Sequence, residues 1–486
     1  MRRLFLCFVS IISFSLLSAQ PQKSNKRGVG ENNFNHVEEI DALASGVTWT
    51  YNWGTNPSKQ VAHLLHPGEE MEFVPMVWNG NFSETALRDS LEKYPGTKYL
   101  LGFNEPNFKS QANMTPTQAA ELWPVLEGIA HDYNLKLVSP ALNYPDDTIN
   151  DGHMYQPKEW LNGFINAYKQ LNEGREPQID FIALHSYMNS PIALKGYLKD
   201  FADTYHKKIW LTEFCSWEGQ VDSISQLNAM VQKVQELELD SMIYRYAWFK
   251  AKGTASNPFY RLLINQNVIT HQPAWGTLSA LGKVYVNMSS FDTTYYYQPQ
   301  SLIPAKDYVN SNGVMLEPNT DAASQQPIQI SSFDANCWGE YLIDVPYACN
   351  YLFTFRLASK EFLYSPKFRI LVDGENVAEQ VFNATGNTDS WADFTMTVPL
   401  TAGKQRIRIL SARSTECKFN WFTFSSARGD VNGDGKINVS DVTSLINMIL
   451  GTSPVDLVAG DINGDTKVNV SDVTALINII LGVSVS

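Results

Sequence analysis

Glu105 and Glu213 are acids in local settings that suit joint work. Glu105 sits in Gly102-Phe103-Asn104-Glu105-Pro106-Asn107 and Glu213 in Trp210-Leu211-Thr212-Glu213-Phe214, each just past a short apolar run of strand character. Two carboxyl groups are the chemical minimum for cleaving a glycosidic bond: one protonates the leaving oxygen while the other attacks the anomeric carbon or activates water. The two acids are 108 residues apart, so only a fold that gathers strand ends can bring them together. No cofactor is expected for that chemistry.

A second constellation is contiguous. Gly429–Gly451, GDVNGDGKINVSDVTSLINMILG, recurs 31 residues later as Gly460–Gly482, GDINGDTKVNVSDVTALINIILG, with five of 23 aligned positions different. Each repeat offers side-chain oxygens at loop positions 1, 3, 5, 9 and 12: Asp430, Asn432, Asp434, Asn438 and Asp441, then Asp461, Asn463, Asp465, Asn469 and Asp472. With the carbonyls of Lys436 and Lys467 at position 7, this spacing suits a hard cation that takes roughly six to eight oxygens, and structural Ca2+ is the expected ion. From Asp430 onward seven Asp stand against two Lys, and carboxylates at that density repel one another unless a cation lies among them.

The elements that must position the first pair run from Lys26 to Met288, where β-rich runs alternate with helical stretches. Strands are expected at Arg27–Gly30, Val47–Trp53, Phe73–Trp78, Tyr99–Asn104, Lys136–Pro140, Asp180–His185, Lys208–Thr212 and Ser241–Trp248. Helices are expected at Thr115–His131 and Ile224–Leu239, with a closing helix at Trp275–Met288. This order predicts a (β/α)8 TIM barrel over 26–288, a fold of about 250 residues whose reacting face lies at the C-terminal strand ends. Strands four and seven lie across that mouth, where Glu105 and Glu213 can converge. Trp53, Trp78, Tyr187, Trp217 and Trp248 lie at or near strand ends, where aromatic faces stack on sugar rings or pack the barrel. His185 suits orienting a neighbour or binding a hydroxyl.

Two further segments complete the chain. Residues 291–426 shift to Tyr, Thr, Val and Phe runs broken by turns such as Asp373-Gly374, which predicts a β-sandwich, jelly-roll-like, without catalytic acids. Residues 429–486 form the repeats, a small α-helical module with duplicated calcium loops. At the other end Arg2 and Arg3 precede an apolar run from Leu4 to Leu17 and the small residues Ser18 and Ala19, so 1–19 reads as a signal peptide and the protein as secreted. No later segment is long and apolar enough to span a membrane. The net charge of −13 offers no footing on phosphate backbones, which excludes nucleic acid as a partner. The 12 Trp, 22 Tyr and 25 Phe make an aromatic-rich chain, which suits sugar stacking.

Taken together, Lys26-Arg27-Gly28, Trp49-Thr50-Tyr51-Asn52-Trp53, Phe73 to Trp78, Gly102 to Asn107, Leu184-His185-Ser186-Tyr187 and Leu211-Thr212-Glu213-Phe214 resemble glycoside hydrolase family 128, the β-1,3-glucanases. The resemblance implies a retaining hydrolase of β-1,3-glucan, with Glu105 as acid/base, Glu213 as nucleophile, Asn104 on the sugar 2-hydroxyl, and Trp53 and Trp78 as subsite walls. Residues 303–424 resemble a family 6 carbohydrate-binding module through Ala305-Lys306-Asp307-Tyr308, Trp338-Gly339-Glu340-Tyr341, Ile370 to Gly374, Trp391 and Asn420-Trp421-Phe422. There Trp391 keeps one cleft aromatic, while Ser332 and Lys418 replace the facing aromatic and an Asn. The terminal repeats resemble a type I dockerin, which implies a cohesin-type scaffold partner met by Val439-Ser440 and Val470-Ser471 with the helices that follow. Thr466 departs from the glycine seen as Gly435 in the first loop. Two other readings stay open at this stage: a hydrolase of another β-linked polysaccharide, and a non-catalytic carbohydrate-binding or scaffold-docking protein.

Overall fold

The computed structural model describes residues 20–219, 221–253, 258–267, 269–346, 348–360, 365–426, 428–432 and 436–482; the signal peptide expected at 1–19 and the calcium ligand expected at Asp434 lie outside the described residues. Strands occur at each of the eight expected places: β1 (Arg27–Gly30), β2 (Trp49–Tyr51), β3 (Glu72–Phe73), β4 (Tyr99–Leu101), β5 (Lys136–Val138), β6 (Ile182–Ser186), β7 (Ile209–Phe214) and β8 (Ile243–Phe249). Several ladders are shorter than the sequence runs, whose ends contribute single parallel bridges, Met76 with Leu101 and Asn104 with Ala141. Between the strands lie α1 (Val37–Ala44), α2 (Glu84–Lys93), α3 (Pro116–Asp132), α4 (Pro157–Leu171), α5 (Pro191–Tyr205) and α6 (Ser223–Leu239), and α7 (Ala280–Asn287) follows β8. Side chains of Ser83, Thr115, Ser190, Asp222 and Ser279 cap α2, α3, α5, α6 and α7, accepting from orphan backbone N–H groups.

The last of these helices begins at Ala280 rather than at Trp275 as the sequence pattern suggested. Gly276 takes φ 77° there, and a Cβ on it would lie 2.3 Å from the Glu38 carbonyl, so the chain turns before Ser279 caps the helix.

The strands pair in parallel in the order β3-β2-β1-β8-β7-β6, with β4-β5 as a separate pair. Parallel bridges from Met76 to Leu101 and from Val138 to Phe181 join the pair to the larger sheet on both sides. Both faces of these strands are covered, as parallel sheets require. One face presents Trp49, Tyr51, Met76, Tyr99, Leu101, Val138, Trp210 and Ala247 to a common interior cluster. The other presents Val29, Leu100, Leu184, Leu211, Phe214 and Trp248 to helix residues such as Trp123, Leu126 and Val234.

Arg27 ties this unit to the antiparallel module behind it. Its buried guanidinium pairs with Glu238 at 3.1 Å and donates to the carbonyls of Tyr285, Met288 and Ser289, while the Ser289 hydroxyl donates to the Tyr308 carbonyl. Beyond Ser289 the strands are β9 (Ile303–Pro304), β10 (Asn310–Asn312), β11 (Met315–Pro318), β12 (Ile328–Ser332), β13 (Trp338–Val345), β14 (Cys349–Ser359), β15 (Lys367–Val372), β16 (Glu375–Val381), β17 (Trp391–Leu400), β18 (Gly403–Ser411) and β19 (Cys417–Ser426). They form two antiparallel sheets, β10-β13-β18-β15-β16 and β11-β12-β19-β14-β17, over a shared core that includes Phe353, Phe355, Phe368, Phe419 and Phe422. Cys337, Cys349 and Cys417 carry no disulfide.

At the C-terminal end α8 (Val439–Ile449) and α10 (Val470–Ile480) flank the short α9 (Leu457–Gly460). Leu445, Met448, Ala475 and Leu476 are buried together there. Among the described residues no helix is long and apolar enough to cross a membrane.

Candidate active site

Glu105 follows β4 in a backbone conformation of φ 43°, and Trp53, past β2, has φ 59°. Left-handed backbone at non-glycine residues costs on the order of 1–3 kcal/mol and persists where the surroundings fix it. Glu213 reaches the same space by a different device. Trp210 points inward and Leu211 outward, so strict alternation would turn Thr212 inward and Glu213 towards the helices. Instead the register between β6 and β7 slips from Leu184–Leu211 to His185–Glu213, an extra residue that re-aims Glu213 inward.

The two glutamates and His185 then meet. One carboxylate oxygen from each and a ring nitrogen of His185 all lie within 4.8 Å of one another, and all three residues are buried. His185 Nδ1 is 2.9 Å from Glu105 and 3.5 Å from Glu213. Trp53 Nε1 donates to Glu213 at 2.8 Å, the Tyr51 hydroxyl shares its proton between the Thr212 carbonyl at 3.0 Å and Glu213 at 3.3 Å, and the Tyr187 hydroxyl donates to the second oxygen of Glu213. Glu105 accepts from Asn143 Nδ2 at 3.3 Å. The cleft above them, about 340 Å³, is lined by Asn32, Trp53, Trp78, Asn104, Glu105, Gln111, Tyr187, Glu213, Phe249 and Lys250.

Burial pushes the Glu213 carboxyl above its ordinary value, and the charge of Glu105 adds to this against His185 and the donors from Tyr187 and Trp53. Burial lowers the His185 value, but the charges of Glu213 and Glu105 outweigh it and the net shift is upward. Burial, then the Glu213 charge, hold the phenols of Tyr51 and Tyr187 well above the usual range, so both stay donors.

The cleft contains Glu105, Glu213, Asn104, Trp53, Trp78 and Tyr187 from the sequence reading. Asn104 is buried, and its Oδ1 has no partner among the described residues, an acceptor suited to a hydroxyl. His185 lies beneath the cleft rather than in its wall. Trp217 stands at the rim, 42% exposed and edge-on to Tyr187. Trp248 is a correction: it is fully buried on the outer face, packs on Phe214 and Tyr285, and donates to the Tyr260 carbonyl. Its neighbour Phe249 lines the cleft instead, because adjacent strand residues point to opposite faces. Tyr51, Asn143, Gln111 and Lys250 were not anticipated. Tyr51 was within reach of the sequence, being two residues from Trp53 on one strand face.

In the antiparallel module Trp391 and Lys418 flank Ala358 in register on neighbouring strands. Trp391 is partly exposed, Ser332 bonds Asp334, and Lys418 is held by Glu317 at 2.8 Å with Asp389 at 3.7 Å. The single-aromatic surface therefore carries an ion pair beside it.

The terminal loops fit a cation. Asp441 and Asp472 are fully buried and accept from the backbone N–H groups of Asn432 and Asn438, and of Ile462, Asn463 and Asn469. Neither has an ion-pair partner among the described residues, and the hydrogen bonds described for each come from backbone N–H groups. Asp461 accepts from the N–H groups of Gly464, Asp465 and Thr466, which turns the second loop around its own carboxylates. Thr466 takes φ 68° there. Asp430, Asn432, Lys436, Asn438, Asn463, Asp465, Lys467 and Asn469 lie on the same two loops.

Residues 428–481 match the dockerin type I domain and residues 304–426 the carbohydrate binding module of family 6, in agreement with the resemblances read from their motifs. Residues 28–285 match the glycosyl hydrolase catalytic core. Among solved structures the chain is similar to a family 128, subgroup II, endo-β-1,3-glucanase from Pseudomonas viridiflava, with 38% identity over 55% of this chain and 98% of that one and a TM-score of 0.48. It is similar also to a subgroup II endo-β-1,3-glucanase from Sorangium cellulosum, with 29% identity over 54% and 97% and a TM-score of 0.45. A curdlan-specific exo-β-1,3-glucanase of subgroup III from Blastomyces gilchristii is 25% identical over 54% and 98%, with a TM-score of 0.40. No curated protein matches the chain. The catalytic-core match takes in more than half of the sequence and every residue of the cleft, and on that ground the chain belongs to the glycosyl hydrolase catalytic core family, with a family 6 carbohydrate-binding module and a type I dockerin behind it.

Proposed function

We propose that the protein is a secreted, retaining hydrolase of β-1,3-glucan. The observation that carries the mechanism is the closeness of Glu105 and Glu213, whose nearest carboxylate oxygens are within 4.8 Å. Retaining pairs stand about 5 Å apart, whereas inverting pairs leave about 6.5–9.5 Å for a water. The sequence identity to the Pseudomonas enzyme over nearly its whole length supports the linkage. The parallel pairings and the bridges on both sides of the β4-β5 pair support reading the catalytic module, 26–288, as a closed (β/α)8 barrel.

In this reading Glu213 attacks the anomeric carbon while Glu105 gives its proton to the leaving oxygen. Trp53 and Tyr187 donate to Glu213 and favour its anion, the form that attacks, against the upward push of burial. Glu105, left as a carboxylate once it has protonated the leaving oxygen, then takes a proton from the water that attacks the anomeric carbon and releases Glu213 from the ester. Asn104 takes the 2-hydroxyl, and Trp53 and Trp78 stack on the chain. Signal 1–19 directs export, 291–426 is a jelly-roll module contacting glycan through Trp391, and 429–486 docks onto a cohesin-type scaffold. Ca2+ held by the aspartates and asparagines of the two loops would fix that last module's fold.

The test is mass spectrometry of products from linear β-1,3-, β-1,4- and mixed-linkage glucans, with Glu213→Ala in parallel, and proton NMR of the first-formed anomer. Oligosaccharides from the β-1,3 polymer in the β configuration, absent with the variant, are expected. An α anomer would overturn retention, and products from another polymer would overturn the linkage.

A further inference from the structure

Helix α6 carries a lysine where an apolar residue would be ordinary. Lys233 lies on its inward face and is 1% exposed, among Met230, Val231, Val234 and Leu237. Its Nζ donates to the Met188 carbonyl at 2.5 Å, the Cys215 carbonyl at 3.2 Å and the Ser216 hydroxyl at 2.9 Å. Among the described residues no carboxylate forms an ion pair with it. A buried ammonium without a counter-ion is costly, and an apolar chain of similar length would fill the space at no such cost. What a lysine adds is three donors on one atom, and here they reach acceptors on two separate loops.

Those loops carry the reacting groups. Met188 is next to Tyr187, whose hydroxyl donates to Glu213, and Cys215 and Ser216 follow Glu213 by two and three residues. One helix face holds both. Gln226, seven residues before Lys233, exchanges hydrogen bonds with the Ser216 backbone at 2.9 and 3.0 Å. Above the amine the loops are stitched directly, Trp217 N–H to the Tyr187 carbonyl at 3.0 Å and Asn189 to Glu218.

We propose that Lys233 is a positioning residue: its ammonium, rather than its packing, sets the placement of the Tyr187 loop against the Glu213 loop. The inference rests on Glu213 as nucleophile for its effect on rate, and on geometry alone for its effect on the loops. The titratable groups that face the amine are the Cys215 thiol and the Glu218 carboxylate beyond β7, with the Tyr187 phenol beyond β6. Burial pushes Lys233 down to about 8. Above that pH the neutral amine has two donors for three acceptors, and one loop contact is released.

The experiment is hydrogen exchange by mass spectrometry on full-length Lys233→Met at neutral pH. Segments 187–190 and 214–218 are expected to exchange at least about tenfold faster, with the remaining strands unchanged; equal exchange in these segments overturns the proposal. On linear β-1,3-glucan kcat should fall roughly 100-fold while KM moves by less than about threefold, the signature of a displaced reacting group. A change confined to KM overturns it. With an aryl glycoside whose leaving group needs no proton, wild-type kcat should decline above pH about 8 and Lys233→Met should lack that limb; a limb retained in the variant overturns the titration. If Lys233→Met does not fold, Ser216→Ala keeps the amine and removes one acceptor. It should loosen 214–218 alone, and no loosening is a negative result for the proposal. Exchange is read without substrate, so a wild type inactive on every glucan would refute the proposed function and leave the loop result to stand.

Discussion

The carboxylates of the cleft and those of the terminal loops solve the same electrostatic problem in opposite ways. In the cleft, Glu105 and Glu213 are buried together with His185 and ringed by side-chain donors from Trp53, Tyr51, Tyr187 and Asn143. In the terminal loops, Asp441, Asp461 and Asp472 are held almost wholly by backbone N–H groups. Side-chain donors set where a proton sits and can change partner as charge moves. Backbone donors are fixed by the turn itself, which suits a permanent charge that is to be neutralised once by an ion. The first arrangement suits turnover, the second suits folding around an ion.

The sharpest way to break this contrast is to neutralise one acid of the cleft. Glu213→Gln should lower glucan turnover by about 10⁴-fold or more, measured by reducing-end release. The same change should stabilise the catalytic module. Glu213 is raised, so the folded state binds its proton more tightly than the unfolded chain, and stability from this group falls as pH rises from about 4.5 through the folded value. His185 is raised too, so its pairing is complete below about 6.5 and is lost as pH rises through its folded value. Melting of the variant near pH 7 should lie about 2–4 °C above wild type, and the gap should close near pH 4, as read by calorimetry.

The opposite outcome is expected at the other cluster. Chelation, or Asp472→Ala, should melt 429–482, seen as lost helix signal and rapid exchange, while turnover of soluble glucan persists. Loss of turnover on chelation would erase the distinction between the two clusters. A finer test removes one side-chain donor: Tyr187→Phe should cost roughly 10²-fold in kcat and leave melting nearly unchanged. The smallest effect is expected at Thr466→Gly, which relieves a left-handed backbone of about 1 kcal/mol and should tighten calcium binding in the second loop about fivefold by titration calorimetry.

The same contrast explains how much is legible in the sequence. The terminal loops are legible as a duplicated motif because their aspartates and asparagines lie within a dozen positions and repeat. The cleft is readable only at strand ends, where Asn104-Glu105-Pro106 and Thr212-Glu213-Phe214 stand out. Parity within a strand is harder. Trp248, expected in the site, is one position from Phe249, which lines it, and the slip that turns Glu213 inward is a pairing event with β6 that no local pattern encodes. Asn143, Gln111 and Lys250 come from loops, and loop direction depends on contacts far away in sequence. The late start of α7 has the same origin, since Gly276 turns against the Glu38 carbonyl, 238 residues earlier.

Arg27 has a mechanical meaning. Were the chain held by a polymer at its cleft and by a scaffold at its C-terminus, it would be loaded in tension, and the covalent path of that load would enter the catalytic module at Ser289. There the pull meets a guanidinium on β1 that holds the Tyr285, Met288 and Ser289 carbonyls and is itself anchored to Glu238 on α6. Such a force would pass from the exit of the chain to its first strand, and would have to shear a buried ion pair before peeling α7 away.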